Sequence, residues 1–146
     1  MRGHDNPMVD VVALDFDGVL HRGTTGTFRH LPLFCDWLRG RPDTCVVLST
    51  DWRLSEPLDE LREYFPEDLR ERILGETPDF SDWCGAACRE QEILAWLSAA
   101  PRRVRKWAAL DDTASLFHLN CPHLVLTNAR EGISTQDLDR LTGKLA

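Results

Sequence analysis

Two aspartates, Asp15 and Asp17, directly follow a short apolar segment and are separated by one residue. In extended backbone, side chains two positions apart point to the same side, so both carboxylates would face one space while Phe16 points away. Such a pair can divide a reaction between a carboxylate that attacks and one that transfers a proton. Gly18 lets the chain turn sharply and approach a phosphoryl group closely. The spacing therefore indicates nucleophilic and acid–base chemistry.

More polar residues follow two later apolar segments. Ser49 and Thr50 come after one of them, and Asp111 and Asp112 after the other. If these segments are neighbouring parallel strands, their carboxyl ends share one edge of a sheet, and four carboxylates converge there. Like charges held together are costly unless a cation neutralises them, and a hard, oxygen-seeking ion such as Mg²⁺ is the natural partner. The pattern predicts a magnesium site.

The elements that would position these residues alternate along the chain. Apolar, often β-branched segments predict strands at residues 9–14, 45–48, 73–74, 107–110 and 124–126. Apolar stripes with capping and breaking residues predict helices at residues 31–40, 55–66, 88–99 and 134–145, with a loop at residues 75–85. The alternation predicts an α/β fold with a parallel sheet covered on both faces. We expect one domain at residues 8–146, preceded by a flexible polar tail at residues 1–7.

Composition and charge exclude several classes of function. The formal net charge is −7, which opposes non-specific binding to nucleic acid. We find no apolar run long enough to cross a membrane and no apolar leader at the start of the chain. The odd number of cysteines, five, favours a reducing compartment, so we expect a cytoplasmic protein. We also expect a monomer.

Several other residues have an ordinary structural interpretation beside a functional one. Cys84 and Cys88 with Cys121 and His123 could suggest a zinc site, but the spacing fits no common ligand pattern, and we expect reduced, packed cysteines. His21 could contact a substrate, although a histidine in a loop is more often simply exposed. The tryptophans are expected in the core; they are Trp37, Trp52, Trp83, Trp96 and Trp107.

Three of these motifs, in this order, resemble the signatures of the haloacid dehalogenase (HAD) superfamily. Residues 15–20 (DFDGVL) resemble the first signature, Ser49 at the end of its apolar segment resembles the second, and Asp111 with Asp112 resembles the fourth. Residues 49–53 (STDWR), 76–78 (ETP), 89–97 and 110–112 (LDD) resemble more narrowly small stand-alone domains of the superfamily, some of whose relatives are associated with RNA repair. The resemblance implies a Rossmann-like sheet of strand order 5-4-1-2-3.

The resemblance also implies a role for each motif residue. Asp15 would attack the phosphoryl group and form an aspartyl-phosphate, and Asp17 would act as general acid and then as general base. Ser49 would bind the phosphoryl oxygens. Mg²⁺ would be held by Asp15, by the backbone carbonyl of Asp17 and by Asp112, with Asp111 close by. A phosphorylated compound of unidentified class is the expected substrate.

The third signature of the superfamily, a lysine or arginine that neutralises the phosphate, has no obvious match. Lys106 would enter the fourth strand at its amino end, on the far edge of the sheet from the carboxylates. Arg89 is the better candidate because it opens the helix before that strand, and such helices begin at the edge where the strands end. Arg53 is the second candidate for this role. The neighbouring acid Asp51 is assigned no role.

The length of the gaps between motifs bears on access to the site. Roughly thirty residues separate the first two signatures, too few for a folded cap domain, so the site should be open. Two alternatives remain at this point. One is a catalytically silent binding module that keeps the fold, and the other is a phosphotransferase to an acceptor other than water, which would need a cap to exclude water.

Overall fold

The protein folds around a five-stranded parallel sheet. The structure is a computed structural model, and it describes residues 7–82, 85 and 87–146. The sheet order is β3-β2-β1-β4-β5, the predicted order read from the other edge, and each neighbouring pair is parallel. The strands are β1 (Val9–Leu14), β2 (Thr44–Leu48), β3 (Ile73–Glu76), β4 (Val104–Asp111) and β5 (Leu124–Leu126).

Helices cover both faces of this sheet. They are α1 (Leu31–Arg39), α2 (Leu58–Arg62), α3 (Cys88–Ser98) and α4 (Thr135–Lys144), with short 3-10 turns at Asp51–Leu54, Glu67–Arg72 and Ala114–Leu116. Side chains of β1 alternate between two cores: Val12 and Leu14 pack with α1, α2 and α4, whereas Val11 and Ala13 pack with Ile93 of α3. Within the described residues no cap domain interrupts the three layers, as the gap lengths predicted.

Local differences from the predicted elements have identifiable causes. The helix expected from residue 55 begins only at Leu58, because Thr50 caps a separate 3-10 turn through the backbone N–H of Trp52 and the chain then extends through Pro57. The third strand continues to Glu76, since its backbone pairs with Leu48 of β2. The capping box at α4 forms as predicted, with Ser134 Oγ accepting from the Asp137 N–H at 3.2 Å.

Some expectations fall outside the described residues. These include residues 1–6 of the expected tail at residues 1–7, Trp83, Cys84 and therefore the complete cysteine and histidine set considered for zinc. Of the described cysteines, Cys35 and Cys45 are buried and Cys88 and Cys121 are partly buried, and none forms a disulfide within the described part of the chain. In the described residues, no helix has the length and apolar character needed to cross a bilayer.

Candidate active site

The sheet register brings the first and fourth motifs side by side. Leu14, the last residue of β1, pairs with Leu48 of β2 and with Leu110 of β4. The residues that follow these positions, Asp15, Ser49 and Asp111, therefore lie at the same edge of the sheet. Backbone hydrogen bonds hold the arrangement, because Asp15 N–H donates to the Leu110 carbonyl at 3.2 Å and Ser49 N–H donates to the Leu14 carbonyl at 3.0 Å.

Three carboxylates form a compact cluster at this edge. One oxygen from each of Asp15, Asp111 and Asp112 lies within 4.8 Å of the other two. Asp15 is only 3% exposed, and its pKa is raised well above the ordinary value by burial and by the charge of Asp111, although Arg89 opposes the shift. Burial likewise raises the pKa of Asp111, against the lowering effect of Arg89. Full ionisation of the cluster is therefore unfavourable unless a further positive charge is close to it.

Arg89 is the cation that faces this cluster. Its Nη1 atom lies 2.9 Å from Asp111 Oδ2 and 3.4 Å from Asp15 Oδ2, and its Nη2 atom lies 2.8 Å from Asp51 Oδ1. Burial lowers the pKa of the guanidinium, but Asp111 and Asp15 raise it by more, so it stays charged. Asp51, which the sequence left without a role, is therefore an ion-pair partner of Arg89.

The chemistry of the donor set fits a divalent cation. Asp111 is already engaged, since Oδ1 accepts from the Thr113 N–H at 2.9 Å and Oδ2 accepts from Arg89. Asp112 packs against Gly18, which has a positive φ of 75°. A Cβ added to Gly18 would lie only 2.1 Å from Asp112 Oδ2. A side chain at Gly18 would displace the carboxylate. The remaining oxygens of Asp15 and Asp112 are hard donors of the kind Mg²⁺ prefers.

Asp17, two residues beyond Asp15, is held by two side chains that contact the same carboxylate oxygen. Trp52 Nε1 donates to Asp17 Oδ1 at 3.1 Å, and His21 Nε2 lies 2.7 Å from the same oxygen. His21 is not the exposed loop residue that its surroundings suggest; its side chain is 0% exposed, whereas that of Asp17 is 35% exposed. The sequence analysis missed this support, and the only signal for it was the four-residue step from Asp17 to His21.

Ser49 and Arg53 differ in whether other groups of the protein already occupy their polar atoms. Ser49 is buried at the site, and its Oγ has no hydrogen-bond partner among the described residues, which leaves it available to a ligand. Arg53 is occupied by the protein itself, donating to the carbonyls of Thr50, Thr77 and Pro78 and pairing with Glu92.

Lys106, by contrast, lies near the chain terminus, where its Nζ contacts the carbonyl of Ala146. It is thus remote from the carboxylates, as its place at the amino end of β4 indicated.

Fold and site together define a HAD-like domain, in which the Asp-x-Asp motif ends the central strand and the acidic pair ends its neighbour. A comparison with protein-family models matches residues 11–138 to the HAD domain in Swiss Army Knife RNA repair proteins, and the chain belongs to this family. Searches of curated proteins and of solved structures found no match. HAD proteins generally use Mg²⁺, in keeping with the carboxylate cluster.

Proposed function

We propose that this protein is a Mg²⁺-dependent phosphatase that hydrolyses phosphomonoesters through an aspartyl-phosphate on Asp15. The observation that carries the proposal is the position of Asp15: a buried carboxylate 3.4 Å from the Arg89 guanidinium and within 4.8 Å of two further carboxylates. A solely structural aspartate would not need both a cation and an acidic cluster around it. Family membership supports phosphatase-like chemistry at this position.

In the first half of the reaction, a carboxylate oxygen of Asp15 attacks phosphorus and the bond from phosphorus to the ester oxygen breaks. Asp17, in its protonated form, gives its proton to the departing oxygen, so the alcohol leaves neutral. Arg89 and the free Ser49 hydroxyl stabilise the charge on the equatorial phosphoryl oxygens. Bound Mg²⁺ supplies positive charge that offsets the acidic groups; Asp15, the Asp17 carbonyl and Asp112 would hold it, with Asp111 beside them.

In the second half, Asp17 is a carboxylate and takes a proton from water. The water oxygen attacks phosphorus, the acyl-phosphate bond breaks, and inorganic phosphate leaves while the Asp15 carboxylate is restored. Since Oδ1 of Asp17 is bound to both His21 and Trp52, Oδ2 is the oxygen that gains and loses the proton. The two supporting side chains keep this oxygen directed at the substrate in both steps.

The experiment is a panel of phosphomonoesters, including aryl phosphates, sugar phosphates, nucleotides and 3′-phosphorylated oligonucleotides, assayed with Mg²⁺ and with EDTA. The proposal predicts Mg²⁺-dependent phosphate release by the wild type and a loss of at least about 10³-fold in Asp15→Asn. If no compound releases phosphate although Mg²⁺ still raises the melting temperature, the domain binds without catalysis and the proposal is wrong.

A further inference from the structure

Most arginines of the described residues are paired, but a few are not. Arg22, Arg29, Arg103 and Arg130 form no side-chain hydrogen bond and no ion pair with any described residue. Arg103 immediately precedes β4, at the amino edge of the sheet. The other three lie in the loops that follow β1 and β5, at the carboxyl edge where the candidate active site is. Three of the four arginines without a side-chain partner among the described residues thus lie at the edge of the sheet where the candidate active site is.

Two of these arginines line a cavity. It measures about 360 Å³ and is formed by Arg22, Thr25, Thr27, Arg29 and His30. None of the lining residues is acidic, and they include two arginines and two threonines, whose hydroxyl oxygens lie 3.4 Å apart. Guanidinium forks and hydroxyl donors are the groups that bind phosphate oxygens. The volume lies in the range of small-ligand sites, so a phosphate with part of its attached organic group would fit.

The loop that carries this cavity is held in place rather than free to collapse. Phe28 has a left-handed backbone (φ 54°), unusual for a large side chain, and its ring stacks on Tyr64 at 4.7 Å and meets Trp52 at 5.2 Å between ring centroids. Burial of the ring offsets the cost of that conformation. At the end of the loop, His30 N–H donates to the Leu20 carbonyl at 2.9 Å. The backbone of Thr27 and Arg29, on either side of Phe28, is thereby held in place.

The cavity lies on the side of the site where Asp17 is. Arg22 follows His21, whose Nε2 contacts Asp17. Gly26, in the loop that forms the cavity, lies close to Trp52, the second residue that holds Asp17. A Cβ added to Gly26 would be 3.8 Å from the Trp52 ring. Since Asp17 protonates the departing oxygen in the proposed mechanism, this is the side on which the leaving group extends.

Arg130, the third arginine of this edge without a side-chain partner among the described residues, also lies near the cavity. Gly23 N–H donates to the Ala129 carbonyl at 2.7 Å, which brings the backbone of Arg130 next to that of Arg22. The loops after β1 and β5 therefore meet beside the cavity, and each contributes a cation without a protein partner in the described part of the chain.

We infer that this cavity binds a second phosphate group, carried by the leaving group of the substrate. The inference rests on the proposed phosphatase activity and adds to it a substrate class: molecules in which the cleaved monoester is accompanied by another phosphate or phosphodiester. The net charge of −7 opposes long-range attraction of polyanions, so recognition is local and operates at the end of a molecule. Arg22 and Arg29 make the principal contacts.

The test uses matched substrates that share one leaving nucleoside: a nucleoside 3′-monophosphate, the 3′,5′-bisphosphate, and a 3′-phosphorylated dinucleotide. In the wild type, kcat/KM should be at least about tenfold higher for the bisphosphate or the dinucleotide than for the monophosphate, the effect of one charged hydrogen bond. In Arg22→Gln/Arg29→Gln this ratio should fall towards one. A preference for the dinucleotide alone identifies a phosphodiester as the bound group, whereas an equal preference identifies a terminal phosphate.

Arg103→Gln is the matched control, an unpaired arginine at the opposite edge of the sheet, and it should keep the wild-type ratio. Equal kcat/KM for one and two phosphates in the wild type, or a preference that survives in the double variant, would overturn the inference. Binding of the bisphosphate to Asp15→Asn, measured by calorimetry with and without the two arginine substitutions, separates this outcome from failure of the proposed activity. Weaker binding without the arginines supports the cavity even in the absence of turnover, and unchanged binding rejects it.

Discussion

The Nε2 atom of His21 lies 2.7 Å from Oδ1 of Asp17, and the His21 side chain is fully buried while the Asp17 side chain is partly exposed. The Trp52 indole N–H donates to the same oxygen, so the protein holds Oδ1 of Asp17, and in the proposed mechanism Oδ2 transfers the proton. The two aspartates of the motif therefore have different surroundings: Asp15 is buried among charged groups, and Asp17 is held by the imidazole of His21 and the indole of Trp52.

Trp52→Phe should remove the indole donor while keeping an aromatic ring in the cluster. We expect kcat to fall about tenfold for esters with poor leaving groups, which need protonation by Asp17, and much less for activated aryl phosphates. The measurement is kcat against leaving-group pKa. Trp37→Phe is the control, because its Nε1 donates to Thr142 far along the chain. Equal losses on both kinds of ester would show that Trp52 does not act through Asp17.

Arg89 and Arg53 should respond differently to replacement by lysine. Arg89→Lys keeps the positive charge among the acids but loses the planar fork, so kcat/KM should drop about 10²-fold with a small change in stability. Arg53→Lys leaves the carbonyls of Thr50, Thr77 and Pro78 with fewer donors and should chiefly lower the free energy of unfolding, by about 3 kcal/mol.

Steady-state kinetics and urea unfolding of both arginine variants check this division. A larger loss of kcat/KM in Arg53→Lys than in Arg89→Lys, after correction for any unfolded fraction, would reverse the two assignments.

The residues at the carboxyl edge of the sheet could be predicted from the sequence, because strand order determines which of them lie side by side. Apolar segments ended at Leu14, Leu48 and Leu110, and parallel pairing at those residues is enough to bring Asp15, Ser49 and Asp111 together.

The support around Asp17 does not follow in this way. The Gly- and Thr-rich stretch after Leu20 has the composition of an exposed loop, yet Phe28 anchors it in a ring cluster with Trp52 that closes over His21. The contacts of Arg53 and Asp51 could not be predicted from the sequence either, because they depend on the direction in which the 3-10 turn at Asp51–Leu54 presents its side chains.

The raised pKa of Asp15 predicts a pH-dependent effect on stability in the absence of metal. A carboxyl whose pKa is higher in the folded state stabilises the protein below its unfolded pKa, and this contribution is lost as the pH rises through the folded value. In EDTA at pH 8, Asp15→Asn should therefore melt at a higher temperature than the wild type, and the difference should shrink towards pH 5. Arg89 keeps Asp111 and Asp51 as partners in the variant.

Thermal melts between pH 5 and pH 8 test this expectation. An Asp15→Asn protein that is less stable than the wild type by the same amount at every pH would show that the carboxylate is a net stabilising group.

Binding of Mg²⁺ to the carboxylate cluster should raise the melting temperature by an amount that depends on Asp112. A ligand specific to the folded state adds about 2.7 kcal/mol at a hundredfold excess over Kd. The Mg²⁺-induced shift should shrink strongly in Asp112→Ala and less in Asp111→Ala, whose oxygens are engaged by Arg89 and Thr113. Asp59→Ala, a change at an exposed carboxylate of α2, is the control. Wild-type shifts in all three variants would place the metal elsewhere.

Direct detection of the covalent intermediate tests the central claim. Rapid acid quench of the reaction with ³²P-labelled 4-nitrophenyl phosphate and Mg²⁺ should leave label on the wild-type protein, on the peptide that contains Asp15 and in a form cleaved by hydroxylamine. Asp17→Asn should accumulate more label, because water is no longer activated, and Asp15→Asn should carry none. Phosphate release without any labelled protein, or label that persists in Asp15→Asn, would contradict the assignment of Asp15 as the nucleophile.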